Sequence, residues 1–547
     1  MILYIIMLVA AICLAVFGLR YHTHMLQLSS YQFQGYFRHL KTDFKRVIYH
    51  LCLMLLIVAL LTGYTAGGGM RLIRIIVCLV FYIGLFVSYL PKPAKKKFVV
   101  TDRVKRLFIT YGIITLILLT APFINLLRAD PSVQSDHSYM LAADIYVLFI
   151  ALYMGMIPFI PALTNLINMP VEKRINRYFI DDAIRLIKQN ENLRIIGITG
   201  SFGKTSVKYY LTTLLSEGFR VLMTPESYNT PMGIVRTVRE HLQPTHEIFV
   251  CEMGARHLHD IKEITDIVHP DDGIVTSIGY QHLETFHSLE NIISTKYELL
   301  DAVDEKEKAE GKKPGKHLKF VNGDNEIIRA NMKYSDAITY GLNDGNDYQA
   351  KDLKVTGVGT SFTVTAPGGE SAEFTTHLVG RHNVENIVGA IAVANSLGIP
   401  MNKLKMAVRR LQSVPHRLEL KKHGNVSILD DAYNSNPNGA KVAVETLGLF
   451  KESVKILVTP GMVELGEKED EYNEEFGRQA AAVCDYMILI GQKNSAAIKK
   501  GALSAGFDEG RIFVKNTFTE GSQLMYELDA GREKVILLEN DLPDNYK

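Results

Sequence analysis

The chain has 547 residues, 22% of them charged, with 60 Lys and Arg against 58 Asp and Glu for a formal net charge of +2. That length supports several domains with cores of ordinary size, while the near balance of charge gives no polyanion signal, so no nucleic-acid partner is expected. The five cysteines, Cys13, Cys52, Cys78, Cys251 and Cys484, are widely spaced without a CxxC or Cys/His cluster, which speaks against a disulfide framework or a zinc site.

A helix needs about 20 mostly apolar residues to cross a hydrocarbon core of about 30 Å. Five segments qualify: Ile2–Leu19, Val47–Thr65, Ile73–Leu90, Leu107–Leu127 and Leu141–Ile167. The first lacks a positive start and a small-residue cleavage site, so it reads as a retained anchor rather than a signal peptide. The loop "PKPAKKKFVVTDRVKR" carries Lys92, Lys95, Lys96, Lys97, Arg103, Lys105 and Arg106, whereas "RADPSVQSDHS" has only Arg128. This bias puts the first loop in the cytoplasm, the N-terminus outside, and everything after the fifth span inside, together with Lys173, Arg174 and Arg177. The expectation is a multi-pass protein of the plasma membrane, in contact with membrane lipid, whose remaining two-thirds is cytoplasmic.

Residues 171–190 show helical spacing at Phe179, Ile180, Ala183, Ile184 and Ile187 and lead into a buried strand, "RIIGITG". Strands and helices then alternate through "EIFVCEMG" and "GIVTSIG", as in a parallel sheet covered on both faces. The stretch "DEKEKAEGKKPGKH", 304–317, reads as a solvated excursion, and 351–379, turned by "APGGE", as a small antiparallel addition. From about Pro415 a second α/β series begins with "VSILDDAYNSNP", "VKILVTPG", "YMILIG", "RIFVKN" and "KVILLEN". The fold class expected is thus multi-domain: a helical membrane bundle over 1–170, a central P-loop α/β ATPase domain over 171–414, and a Rossmann-like α/β domain over 415–547.

The chemistry starts at "IIGITGSFGKTSVKYYL". Of the pattern GxxxxGK[ST], the first position is Ile198, and Gly203, Lys204 and Thr205 meet the rest, with Gly200 as a second glycine in the loop. Glycines let main-chain N–H groups approach phosphates, Lys204 adds a cation, Thr205 offers a hydroxyl to Mg²⁺, and the helix N-terminus favours an anion. Thr199, Gly200, Ser201, Phe202, Gly203, Lys204, Thr205 and Ser206 are therefore candidate ATP-binding residues. Glu252 ends the strand "EIFVCEMG" and His282 follows "GIVTSIG", both at carboxyl edges where ligands collect in open α/β sheets. Taken singly, Glu252 is equally a surface carboxylate, His282 a loop histidine, and Lys296 in "NIISTKYELL" a solvated lysine.

Together these pieces resemble the Mur ligases, ATP-dependent enzymes that join amino acids or dipeptides to the peptidoglycan precursor. "TGSFGKTS" resembles their ATP loop, and "YNTPMGIV", "EMGARHLHDI", "GYQHLETFHSLENIISTKYELL", "VNGDN" and "GRHNVENIVGAIAVA" follow in family order. "PHRLE", "LDDAYNSNPNGAK" and "GMVELGE" are most similar to the MurF branch, which adds D-alanyl-D-alanine; the likeness covers roughly 190–500. The resemblance implies that Lys204 and the loop amides hold the phosphates, that Thr205 and Glu252 bind one Mg²⁺ and His282 a second, and that Lys296 is carbamylated by CO₂ to become an anionic metal ligand. It also implies that Asn322 contacts adenine, that His382, Asn383 and Asn386 line the nucleotide site, and that Arg417 and Asp431 reach ATP from the C-terminal domain. Lys204, Glu252, His282 and Lys296 are the implied catalytic group.

The implied reaction is amide ligation. A substrate carboxylate attacks the γ-phosphoryl group, ADP leaves, and an amine then attacks the acyl phosphate and expels phosphate. Classical members begin with a soluble UDP-sugar-binding domain, whereas membrane helices stand there in this chain, so the acceptor is open between a UDP-linked muramoyl tripeptide, a lipid-linked muramoyl precursor and another carboxylate polymer. The ending "ENDLPDNYK" stands where a basic Lys-Gly-Ser-type segment is usual, which leaves D-alanyl-D-alanine one choice of amine. Alternatives are a membrane ligase of poly-γ-glutamate or another capsule-like polymer, a P-loop kinase or transport ATPase, and an inactive scaffold; intact Lys204, Glu252, His282 and Lys296 argue against the last.

Overall fold

The structure, a computed structural model, describes residues 2–62, 68–90, 97–128, 137–311, 316–356, 359–432 and 435–541. The chain divides into two compact units between Arg177 and Tyr178.

The first unit is helical, with helices Ile2–Leu28, Phe33–Thr42, Phe44–Thr62, Gly68–Ser88, Asp102–Arg128 and His137–Met156, and the start of Ile160–Gln189. Among the described residues two helices are long and apolar enough to cross a membrane, Ile5–Leu28 and Asp102–Arg128, or three spans if one bent pair counts as a span. This corrects the expectation of five. Leu141–Ile167 is not one rod: Leu141–Met156 and Ile160–Gln189 meet at 81°, with Pro158, which has no N–H to give a helix, in the turn between them. Helices Phe44–Thr62 and Gly68–Ser88 stand over the segments expected at Val47–Thr65 and Ile73–Leu90, residues 63–65 lying outside the described residues; among the described residues Leu79–Ser88 is a shorter apolar helix. Lys92, Lys95 and Lys96, and residues 129–136, lie outside the described residues. The unit buries an apolar core and also exposes large apolar side chains. Val16, Val80, Ile109, Leu116 and Ile117 are exposed, while His22, Thr23, Tyr36 and His50 are fully buried.

The second unit carries two sheets. The strands of the first are β1 (Arg194–Thr199), β2 (Val221–Met223), β3 (Ile248–Glu252), β4 (Asp272–Val275), β5 (Lys319–Asn322), β6 (Ile338–Gly341), β7 (Tyr348–Thr356), β8 (Gly359–Thr365) and β9 (Ser371–Thr376), in the order β2-β3-β1-β4-β5-β6-β7-β8-β9. From β2 to β7 the pairing is parallel, and β8 and β9 add on antiparallel, the latter hairpin turning through Pro367–Gly369. The central strands are continuously apolar, as burial on both faces demands: Ile195, Ile196 and Ile198 of β1 are at most 2% exposed. One face packs on helices Lys204–Leu215, Arg381–Ser396 and Met401–Arg409, the other on Pro231–His241, Asp260–Val268 and Leu289–Glu310.

The second sheet holds β10 (Glu419–His423), β11 (Val426–Asp431), β12 (Val454–Thr459), β13 (Tyr486–Ile490), β14 (Ile512–Lys515) and β15 (Lys534–Glu539), ordered β10-β11-β15-β12-β13-β14, all parallel except β10. Its helix Pro437–Leu447 starts on a cap by Asn436, whose side chain accepts from the Gly439 N–H at 3.0 Å, with Pro437 pre-set for the first turn. The stretch 304–317 is exposed at 305 and 308–311, as a solvated excursion would be, but it is helical in part. Residues 304–310 finish the helix Leu289–Glu310, and Asp304 and Glu307, with Asp336, surround the Lys319 ammonium, whose side chain is 3% exposed. Residues 312–315, 433–434 and the tail from 542 lie outside the described residues.

Candidate functional site

Three neighbouring strands, β3, β1 and β4, end at one edge of the nine-stranded sheet, with Ile198 opposite Glu252 and Thr199 opposite Val275. The loop after β1, the carboxylate ending β3 and the loop after β4 therefore converge, as expected where strand order reverses.

The loop after β1 is tied to its neighbour rather than to itself. Ser201 N donates to Ser277 O at 2.8 Å, Ser201 Oγ to Gly279 O at 2.9 Å, and Phe202 N to Ser277 Oγ at 2.8 Å, while Thr199 Oγ1 donates to Met253 O at 3.1 Å. Gly200 sits at φ +153° and Gly203 at φ +82°; a Cβ would lie 2.2 Å from Thr276 Oγ1 at the first and 2.6 Å from Asn386 Oδ1 at the second. Only glycine fits both the close approach and the left-handed turn. The helix Lys204–Leu215 begins at Gly203 with no side-chain cap, so its first N–H groups face an anion position. Lys204 Nζ donates to Gly200 O at 2.5 Å and Ser201 O at 3.2 Å. Burial pulls its ammonium down to about 8 against the opposing pull of Glu252, and the Arg417 charge lowers it further. Ser206 faces the Tyr210 hydroxyl on the same helix.

Glu252 is 1% exposed. Its Oε1 accepts from Thr205 Oγ1 and Asn229 Nδ2, each at 3.1 Å, and its Oε2 lies 3.0 Å from Lys208 Nζ as an ion pair. Burial pushes this carboxyl up, but the charges of Lys208 and Lys204 and the Lys208 and Asn229 contacts outweigh it and hold it below the ordinary carboxylate range. Carboxylate and hydroxyl oxygens at this spacing suit a hard divalent cation. His282 stands at φ +52° as the cap of a short helix, Leu283–Phe286, with Nδ1 at 2.5 Å from Glu464 Oε2. A carboxylate only accepts, so Nδ1 carries the hydrogen and Nε2 keeps its lone pair. Burial pulls the imidazole below its usual range, against Glu464, which raises it, and with help from Arg256 and Lys296.

Lys296 is 2% exposed on the helix Leu289–Glu310, and among the described residues no group lies within hydrogen-bond or ion-pair distance of its amine. Burial, then the charge of Lys204, push that amine well below the ordinary lysine range, while Asp260 and Glu298 pull the other way. Burial of this kind favours the neutral, nucleophilic amine over the cation.

The remaining residues divide. Asn386 abuts Gly203, and His382, on the same helix, has a buried Nδ1 with no hydrogen-bond partner among the described residues and an imidazole lowered by burial to about 4. Asn383 is committed within the core: it accepts from Tyr210 Oη at 2.8 Å and donates to Val379 O at 2.9 Å. Asn322 likewise donates to Thr276 O at 3.1 Å and accepts from Asp324 N at 2.9 Å, bracing the loop after β4. In the second sheet, Asp431 ends β11; burial raises its carboxyl to about 6 against the Arg417 charge, so Arg417 acts on both Asp431 and Lys204. Three residues that sequence reasoning left without a role belong to this cluster: Lys208, Asn229 and Glu464. The four-residue step from Lys204 to Lys208 puts both on one helix face, but Glu464 lies 182 residues from His282 and leaves no local trace.

Comparisons with known proteins agree with this geometry. Residues 198–394 match the Mur ligase middle domain, and 416–539 match the Mur ligase glutamate ligase domain. The chain is 30% identical over 368 residues to the UDP-N-acetylmuramoyl-tripeptide–D-alanyl-D-alanine ligase of Bacillus subtilis, covering 66% of this chain and 76% of that one, and 29% identical to the Escherichia coli protein of the same name, covering 57% and 67%. Among solved structures, MurF from Acinetobacter baumannii superposes with a TM-score of 0.59 at 24% identity, covering 68% of this chain and 78% of that one. MurF from Thermotoga maritima, in complex with ADP, gives 0.57 at 24%, covering 66% and 80%. Two family domains in one order, on a phosphate loop beside a buried acid, leave a kinase or transport ATPase without support. The chain belongs to the Mur ligase family and is an ATP-dependent, ADP-forming ligase.

Proposed function

We propose that this protein is a MurF-like ligase that joins D-alanyl-D-alanine to a UDP-linked muramoyl tripeptide, the substrates named for its relatives in Bacillus subtilis and Escherichia coli. The observation that carries the reading is Lys296: a buried amine with no partner among the described residues, close enough to feel the Lys204 charge, is costly unless it is neutral or modified. Only the neutral amine reacts with CO₂, and the resulting carbamate offers an oxygen in place of a cation. The site residues fit two divalent cations. Thr205 and Glu252 would hold one through oxygens, and His282 Nε2 with carbamylated Lys296 would hold the other. Two Mg²⁺ ions, when bound, supply charge neutralisation where an anionic carboxylate meets an anionic phosphate.

The chain's own residues would act as follows. Uncapped N–H groups at Gly203 and the helix start receive the phosphates, and the Lys204 ammonium leaves the Gly200 and Ser201 carbonyls for phosphate oxygens. His382 and Asn386 flank the same loop, and Arg417 and Asp431 bring the second sheet's edge towards it. Seating of the C-terminal domain, 415–547, against the nucleotide domain, 171–414, excludes water from an acyl phosphate that otherwise hydrolyses. The first unit would seat the enzyme at the bilayer, since, around its buried core, it also exposes large apolar side chains such as Val16, Val80 and Ile109 while His22, Thr23 and His50 are buried.

The test uses the detergent-purified full chain with ATP, Mg²⁺, UDP-N-acetylmuramoyl-tripeptide and D-alanyl-D-alanine, following phosphate release and product mass. Release that needs both acid and amine, with a product mass equal to their condensation, supports the reading. Phosphate release at the same rate without either substrate overturns it.

A further inference from the structure

We infer that Glu464, from the C-terminal domain, is the positioning residue of His282, so that the second metal position is complete only when that domain is seated on the nucleotide domain. The inference rests on the two-metal reading above. His282 and Glu464 belong to different sheets' edges, yet Nδ1 and Oε2 approach to 2.5 Å, with only 12% of the imidazole and 21% of the carboxylate side chain exposed. That contact fixes the ring about its χ angles and assigns the hydrogen to Nδ1, which leaves Nε2 as the donor atom. Carboxylates placed behind a metal-binding imidazole in this way orient it and raise its basicity.

Glu464 is itself held in an unfavourable backbone state, φ +66°, which a non-glycine side chain adopts only when its surroundings demand it. Two further contacts account for the demand: Arg256 Nη1 lies 3.8 Å from Glu464 Oε1, and Glu284 N approaches Glu464 O at 3.5 Å. The rest of the loop after β4 is gripped from the same domain. Asn438 packs on Gly279, and Tyr472 lies 5.9 Å from Tyr280, centroid to centroid, with the Lys468 ammonium 5.7 Å from that ring. A small cavity bounded by Gln281, His282, Ser435 and Asn436 lies beside the pair. The loop is thus held from both domains, braced at its start by Ser201 and Asn322, and its histidine is aimed by the C-terminal domain's carboxylate.

The test measures Mn²⁺ binding by the full chain in detergent at saturating ADP, counting free Mn²⁺ by electron paramagnetic resonance. Two Mn²⁺ per chain are expected, falling to one in His282→Ala. Glu464→Ala should weaken the second site by about 10- to 100-fold, whereas Glu464→Gln, which keeps an acceptor oxygen for Nδ1, should stay closer to wild type. The double variant His282→Ala/Glu464→Ala should bind as His282→Ala does. ADP affinity and the first Mn²⁺ site are the folding controls, and if Glu464→Ala fails them the comparison of wild type with Glu464→Gln and Glu464→Asp decides. Second-site affinity in Glu464→Ala within twofold of wild type, while His282→Ala loses the site, overturns the inference alone. A single Mn²⁺ in wild type, unaffected by His282→Ala, overturns the two-metal reading and this inference with it.

Discussion

Replacing Lys208 with Met removes the only cation that an ion pair brings onto Glu252 Oε2 among the described residues. The two side chains are 0% and 2% exposed and 3.0 Å apart, so at an effective dielectric of about 20 their attraction is worth about 5 kcal/mol before desolvation is counted. Desolvation makes the intact pair worth much less than that, but deleting one partner strands a buried charge and costs about 3–5 kcal/mol. With about 2–4 °C per kcal/mol for a domain of this size, melting should fall by about 6–20 °C. The pH dependence has a definite sign. In the wild type the Glu252 carboxyl is depressed, so its stabilising contribution is present above the unfolded value and lost only as pH falls through the lower, folded one. Without Lys208, burial outweighs Lys204 and the carboxyl is raised, so the variant loses stability as pH rises through the new folded value. Its deficit is therefore smaller at about pH 5 than at about pH 8. Thermal unfolding followed by circular dichroism in detergent at both pH values measures this, since the chain has no Trp to report by fluorescence. Glu252→Gln in the Lys208→Met background should recover part of the loss, because a neutral amide costs less to bury. Melting unchanged by Lys208→Met, or a deficit larger in acid, would refute the reasoning.

Gly203→Ala puts a Cβ 2.6 Å from Asn386 Oδ1 at φ +82°; backbone strain of about 1–3 kcal/mol should weaken ADP binding about tenfold by calorimetry, and an unaltered affinity would show that the loop reshapes freely. Lys296→Ala should abolish ligation yet keep ADP affinity, with short-chain carboxylic acids partly restoring the rate; full activity in the variant without any acid would remove the carbamate. Arg194→Met removes the two hydrogen bonds, at 2.6 and 2.8 Å, that Arg194 gives Asp272, which is 0% exposed, and leaves that carboxylate with the Leu318 N–H at 2.9 Å and no cation; it should cost about 3–5 kcal/mol in melts. Burial already raises the Asp272 carboxyl despite Arg194, so this loss too should shrink in acid, and a loss independent of pH would exclude a stranded carboxylate as its cause.

What is legible in this sequence is what is written locally. The loop after β1 needs two glycines, a lysine and a hydroxyl between a buried strand and a helix, and all of these fall within Gly200–Thr205. Continuity of the apolar helices is harder, because apolar composition says nothing of the 81° turn at Pro158 within one expected span. Charge misleads in the opposite way. Residues 304–310 look solvated, yet Asp304 and Glu307 gather around the buried Lys319, which is paired with them by the sheet and not by spacing. Lys208 looks like any lysine on a helix surface until the order β3-β1-β4 places Glu252 against it. Motif membership carries a different limit. Asn322 and Asn383 occupy the expected positions, but their amides are spent on Thr276, Asp324, Tyr210 and Val379. A motif therefore places a residue at the edge of the site, and only the hydrogen-bond account of each amide and carboxylate says whether it faces the nucleotide or braces the wall behind it.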